Sequence, residues 1–455
     1  KLISSNFRSG KNIVDAANKL IAHNEKQIPM VCSTSPSRGE GEINFQVVED
    51  HTSAAVTCAE EIKDLIENEG WTEPEIPSFG VAVRTNAEAL AFGLEMIKRR
   101  IPFRSKMNFF TDPTTKALTG WLALAEADPD DKKRINDVVL KAYSTPKFYL
   151  DKTFASSLQK KARGQNYLEW LRNGGWDRIY EGRSAWRNKN VKKYTDTLVS
   201  VQSLTGSPAE ILDSVLQIKG VGFKGKEAES IIESLINKTK GDPDAIDLLY
   251  EESTDGTISD KDIKNLALAP ISPLLGLLNE FEDLGPAMDY VRELQNVSEK
   301  KSYKDDPDDE DKAKPAVTID TCHGWKGLEA RHMWVPMAAG TFPHAKSEGD
   351  REAMESERRL AYVALTRGRD SVNVLCPMEN HVGRAAGPSQ FVNEACIRNR
   401  NDSDSESEAN RTASEIADRD AEIWNYIRIS SDSGDLTDAE WAEYDLFLQY
   451  GEQVF

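Results

Sequence analysis

Gly220, Gly225 and Lys226 are spaced as G-x-x-x-x-G-K, the pattern with which a glycine loop cradles phosphates. That chemistry needs a Ser or Thr next, to hold magnesium through its hydroxyl. Here Glu227 follows, and its carboxylate would sit against the phosphates. Residues 211–218 upstream carry a helical pattern rather than the required strand, so a phosphate-cradling loop is set aside. A second concentration of charge spans residues 147–193. Twelve Lys or Arg, among them Lys160, Lys161, Lys192 and Lys193, face four acids, a surplus of eight positive charges. Trp170, Trp176 and Trp186 are interleaved. The whole chain carries a net charge of −19, which repels phosphate, so any nucleic-acid role must rest on such a local patch. The patch suits duplex DNA; the plainer reading is a solvated helix face over core tryptophans, and each tryptophan singly is expected in the core. Five widely spread cysteines without a C-x-x-C pair exclude a disulfide framework, a structural zinc site and an iron–sulfur cluster. They fit a reducing compartment, and no metal site is expected.

Three separated segments carry a more specific pattern. The first is S-N-F-R-S at residues 5–9, before a helix that begins near Lys11. The second is T-C-H-G-W-K-G-L-E at residues 321–329, directly after a strand. The third is E-R-R-L-A-Y-V-A-L-T-R-G at residues 357–368. In order and spacing they resemble motifs IV, V and VI of the UvrD/Rep/PcrA branch of superfamily 1 helicases. The R-T-N-A run at 84–87, the I-P-F-R run at 101–104 and the G-T-F-P run at 340–343 are similar to further segments of that branch. The resemblance covers residues 1–396. Separately, the stretch from Ile218 to Lys224 resembles the hairpin of helix-hairpin-helix modules, where glycines let backbone N–H groups approach a DNA phosphate. Lys219, Lys224 and Lys226 are candidates there, although the small residue expected next is displaced to Ala228.

The resemblance implies a role for each position. In that family ATP lies between two RecA-like lobes, and Arg8 and Arg367 match arginines that the second lobe projects onto the γ-phosphate. An always-charged, forked guanidinium suits charge that develops during phosphoryl transfer. Glu329 matches the residue that contacts the ribose, and Gly327 allows close backbone approach beside it. Thr321 and His323 match contacts to the phosphates of single-stranded DNA, with Arg84 and Asn86 as weaker candidates on the same path. His323 has no second His or Cys at metal spacing. The first lobe's G-K-[ST] and Asp-Glu-x-Gln boxes are absent from this sequence. The expectation is therefore the C-terminal portion of an ATP-dependent 3′-to-5′ DNA helicase. ATP with Mg2+ would be the cofactor, and the magnesium ligands would lie on an N-terminal lobe carried by another chain or an upstream segment. Single-stranded DNA and its junction with duplex would be the substrate. The alternative is a non-catalytic DNA-binding or regulatory subunit of a helicase or helicase–nuclease complex.

The elements that must position these residues are legible in outline. Helical periodicity over 11–23 and 54–66, and β-branched or apolar runs at 43–48, 79–83, 317–321, 332–337 and 371–375, alternate as in a parallel α/β sheet. Residues 104–312 are helical in pattern with almost no strand signal. The fold class expected is α/β: a RecA-like lobe (2A; 1–103 and 313–396) interrupted by a mainly helical insertion (2B; 104–312), plus an acidic C-terminal tail. Residues 304–311 read as a solvated linker and 397–413 as a flexible tether. The acidic, aromatic stretch 435–450 reads either as a small packed helix or as a docking peptide for a protein partner. No apolar run is long enough to span a membrane, and a cytoplasmic protein of a bacterium or virus is expected.

Overall fold

The computed structural model describes residues 5–26, 31–69, 78–222, 227–253, 256–300, 316–381 and 384–400. They form a parallel α/β sheet with helices on both faces and a large helical insertion. The tail expected at 435–450 and the linker at 304–311 lie outside the described residues.

A two-stranded parallel ribbon joins β1 (Ser5–Asn6) to β2 (Ser33–Thr34). The main sheet has seven strands: β3 (Glu42–Val48), β4 (Phe79–Val83), β5 (Phe103–Arg104), β6 (Val317–Thr321), β7 (Ala330–Pro336), β8 (Gly368–Pro377) and β9 (Arg398–Asn399). Their order is β5-β6-β4-β7-β8-β3-β9, and every pairing is parallel. β4 is the sequence F-G-V-A-V and is buried throughout, as a central strand covered on both faces must be. Gly80 in β4 is required by packing: a Cβ there would lie 2.6 Å from the Met333 sulfur and overlap the Trp325 ring.

Successive side chains of a strand point to opposite faces, and the helices divide accordingly. One face is covered by α1 (Lys11–Ile21), which buries Ile13, Val14, Ala17 and Leu20 at helical spacing. The other face takes α2 (His51–Glu69) and α3 (Asn86–Lys98). α3 is buried almost all round. Ala89, Phe92 and Met96 face the sheet, while Ala87, Leu90, Leu94 and Ile97 join the core of the insertion.

That insertion runs between β5 and β6 and holds eleven α-helices among the described residues. They are α4 (Pro113–Glu126), α5 (Lys132–Lys141), α6 (Thr153–Lys161), α7 (Tyr167–Arg172), α8 (Asn188–Gln202), α9 (Pro208–Leu216), α10 (Ile231–Lys240), α11 (Pro243–Glu252), α12 (Asp260–Leu268), α13 (Ile271–Leu278) and α14 (Leu284–Lys300). Asp or Ser caps start most of them; Ser207, Ser230 and Ser259 each form a reciprocal capping box. After the insertion, α15 (Arg351–Leu365) and α16 (Gln390–Glu394) complete the α1 face. All five cysteines are free, and no described helix is long and apolar enough to cross a membrane.

Candidate functional site

Three sequence-distant segments meet at the N-terminal ends of the interior strands β7 and β8. Beyond β1, the Asn6 side chain accepts from the backbone N–H groups of Arg8 (2.8 Å) and Ser9 (3.0 Å), a local turn that throws Arg8 outward. Buried Ser9 donates to the Thr366 carbonyl at 3.2 Å and ties this turn to the end of α15. Arg8 Nε donates to Glu329 Oε2 at 2.5 Å, and its Nη1 reaches the Thr366 carbonyl at 3.4 Å. Arg367 follows directly. Its Nη1 donates to the Leu328 carbonyl at 3.1 Å and its Nε to the Val363 carbonyl at 3.2 Å. Gly327 has φ +93°, a left-handed turn that a side chain would strain, and it delivers Glu329 to the start of β7. Arg369 lies on the other oxygen of Glu329, at 3.8 Å. Arg8 and Arg369 thus share one carboxylate, and the Arg367 guanidinium stands beside them, all partly open to solvent. Burial, and then the neighbouring Arg8, lower the Arg367 pKa. An incoming anion would relieve that crowding, so the cluster fits a polyphosphate. No group of three or more metal-ligating side chains occurs among the described residues.

At the opposite ends of the strands, β6 leads into the Thr321–Gly327 turn. The buried Thr321 hydroxyl accepts from the Gly324 N–H at 3.2 Å and is spent on the turn. Trp325 is fully buried, its indole N–H donating to the Val81 carbonyl at 2.9 Å. His323 is half-buried, and its Nδ1 has no partner. Burial first, then Arg84, lowers its pKa, so it stands as a neutral imidazole. Arg84 and Asn86, the weaker candidates for a DNA path, are buried just past the end of β4. Arg84 grips both oxygens of Glu357, at 2.8 and 2.9 Å, with side chains 3% and 0% exposed. Asn86 is closed over by Glu252 of α11. Neither side chain reaches solvent, because acids remote in sequence occupy both.

The basic patch is more uneven than its composition. Lys160, Lys192 and Lys193 are exposed, whereas Lys161 is half-buried and held by Glu181 and the Arg178 carbonyl. Lys192 is paired with Asp196 at 2.9 Å, which leaves Lys160 and Lys193 with no ion pair among the described residues. Trp186 departs from the expected core position: it is 46% exposed, with the Arg187 guanidinium 5.2 Å over its ring. Lys219 is exposed on the turn after α9, and Gly220 is buried there because a Cβ would strike the Lys147 backbone. Lys224 and Lys226 lie outside the described residues.

A model of the UvrD-like helicase C-terminal domain matches residues 2–169 and 179–375. The chain belongs to that family. It is 24% identical over 412 residues to the ATP-dependent DNA helicase PcrA of Leuconostoc citreum, covering 86% of this chain and 48% of the relative. The ATP-dependent DNA helicase Rep of Salmonella typhimurium is 25% identical over 403 residues, with 86% of this chain and 53% of the relative covered. The Escherichia coli Rep helicase is 24% identical over the same length. The chain thus spans about half the length of the curated relatives it matches. Within this UvrD-like domain, sequence reasoning passed over Arg369, Arg38 and Glu252. Arg369 stands in the T-R-G-R run, one residue past the third motif. Arg38, whose Nε donates to the Arg8 carbonyl at 2.6 Å, and Glu252, 166 residues from Asn86, carry no local signal.

Proposed function

We propose that this chain is the C-terminal portion of an ATP-dependent 3′-to-5′ DNA helicase or translocase, as the names of its PcrA and Rep relatives suggest. One observation carries the reading: Arg8, Glu329 and Arg367, drawn from three distant segments, converge on one half-open cluster with surplus positive charge. Arg8 and Arg367 stabilise the γ-phosphate charge that grows during hydrolysis, Arg369 steadies Glu329, and Glu329 positions the ribose, with Gly327 letting backbone approach. A separate N-terminal lobe supplies the phosphate-cradling loop and the magnesium ligands. Residues 1–103 and 313–396 act as domain 2A, and 104–312 as domain 2B. The turn carrying Thr321 and His323 guides single-stranded DNA, and the face bearing Lys160, Lys161, Lys192 and Lys193, with Lys219 on the next turn, meets the duplex at the junction. Cysteine usage fits work in the cytoplasm.

Mixing this chain with a lobe carrying the phosphate-cradling loop should produce ATP hydrolysis stimulated by single-stranded DNA. Arg367→Ala should lower that hydrolysis by about 10³-fold, the scale of an arginine acting on the transferred phosphoryl group. Binding of single-stranded DNA without nucleotide should persist. Equal loss of both activities would contradict the assigned role.

A further inference from the structure

Two aromatic rings stand in solvent within the basic stretch 147–193: Trp186 is 46% exposed and Tyr149 37%. Both are held there. Trp186 lies in a short 3-10 helix, Gly182–Arg187, with the Arg187 guanidinium 5.2 Å over its ring. Arg187 is itself pinned, since its Nη1 donates to Asp151 Oδ2 at 2.6 Å. The Asp151 N–H in turn donates to the Tyr180 hydroxyl at 3.1 Å, so segment 149–151 lies against segment 180–187. Tyr149 is fixed from both sides. Phe148 before it is fully buried, and Asp151 after it is paired. Between them Tyr149 has φ +52°, a left-handed conformation that a bulky residue adopts only when its surroundings impose it. The Lys147 carbonyl accepts from the Val221 N–H at 3.0 Å, which joins the turn bearing Lys219 to the same face. Lys147 and Lys152 flank Tyr149 in the chain, Arg183 and Lys189 flank Trp186, and all four are exposed. Such cations draw in backbone phosphates whatever the bases do. Aromatic rings add a different contact, stacking on the flat face of a base. In unbroken duplex both faces of every base are covered by neighbours, so only an unpaired or terminal base can accept such a ring.

We propose that Trp186 and Tyr149 stack on a base released from pairing, so that this face recognises the place where duplex ends rather than duplex as such. The inference rests on the DNA reading of the same face above and adds which feature of the junction is read. The cations bind without regard to sequence or pairing, and the rings select the break. Arg187, fixed by Asp151, backs the indole, so little of the surface needs reordering when a base arrives.

The test compares two labelled duplexes against the full chain at fixed salt and pH, read by anisotropy: one fully paired, the other identical but for one unpaired base at its centre. The ends are shared, so the ratio of the two affinities isolates the unpaired base. Wild type should favour the second DNA about tenfold, the scale of one base–aromatic stack. Trp186→Ala should bring the ratio close to one, Trp186→Phe should keep part of it, and Lys160→Ala should weaken binding of both DNAs while leaving the ratio in place. With 2-aminopurine as the unpaired base, binding by wild type should quench its emission, a reading that needs no variant; unchanged emission overturns the stack. Equal affinities, or a ratio that survives Trp186→Ala, overturn the stacking inference and leave the duplex reading intact. Failure of wild type to bind either DNA overturns both and gives the exposed rings to a protein partner instead.

Discussion

Arg84 and Glu357 join the end of β4 to α15 through a two-pronged ion pair with almost no exposure. Burial alone would raise the Glu357 pKa, yet the Arg84 guanidinium holds that carboxyl below its ordinary range. The carboxylate also accepts from the His344 N–H at 3.0 Å, so it organises the loop after β7. Removing one partner leaves a charge in a place water cannot reach. Glu357→Ala should therefore destabilise the chain by about 3–5 kcal/mol, measured from urea unfolding midpoints. The double replacement Arg84→Met with Glu357→Leu should recover most of that stability; a single-variant effect below about 1 kcal/mol would contradict the assignment. The same pair marks a limit of reading residues by type. An arginine in the R-T-N-A run is legible as a functional cation, but its partner lies 273 residues away and nothing local announces it. Arg8, Glu329 and Arg367 were legible because each sits inside a motif whose neighbours also match.

Helices α2 and α3 pack through a seam that carries its own pH dependence. His51, at the start of α2, donates from Nε2 to the Glu88 carbonyl, 3.1 Å away, and its ring meets His381 edge-on at 5.8 Å. Burial lowers the His51 pKa to about 4 and that of His381 to about 3, so both imidazoles are neutral in the fold. In the unfolded chain each binds a proton near 6.5. Their contribution is thus whole above that value and is lost as pH falls towards 4. Glu88, fully buried, is raised to about 7 from an ordinary 4.5, and it works the other way. Its contribution is whole below 4.5 and is lost as pH rises through 7. Between pH 5 and 7 the two effects oppose each other. Glu88→Gln deletes the acid-favouring partner, so its urea midpoint should fall more steeply from pH 7 to pH 5 than that of wild type; parallel profiles would refute the opposition. The strands of this region were legible as apolar runs, and α1 as a one-sided stripe. α3 was not, because a helix buried between a sheet and an insertion is apolar on nearly every side and shows no clean period.

At the scale of the whole molecule, alternating strands and helices announce the parallel sheet, and the loss of strand signal announces the insertion. What composition cannot convey is how charge is spent. The chain carries −19 overall, so long-range forces oppose DNA and only locally unpaired cations can bind it. Of the four lysines singled out in the basic patch, Lys161 and Lys192 are engaged by acids, whereas Lys160 and Lys193 are open. A cation already paired releases few counterions when it meets phosphate, because it must first give up its acid. The double variant Lys160→Ala with Lys193→Ala should therefore weaken duplex binding and lower the slope of log affinity against log salt by about 1.8, or about 0.9 for each phosphate no longer neutralised. Lys161→Ala with Lys192→Ala removes the same formal charge but should change the slope by well under half as much. Equal effects of the two pairs would mean that the patch acts by net charge alone, and that the ion pairs within it do not decide which side chains meet the duplex.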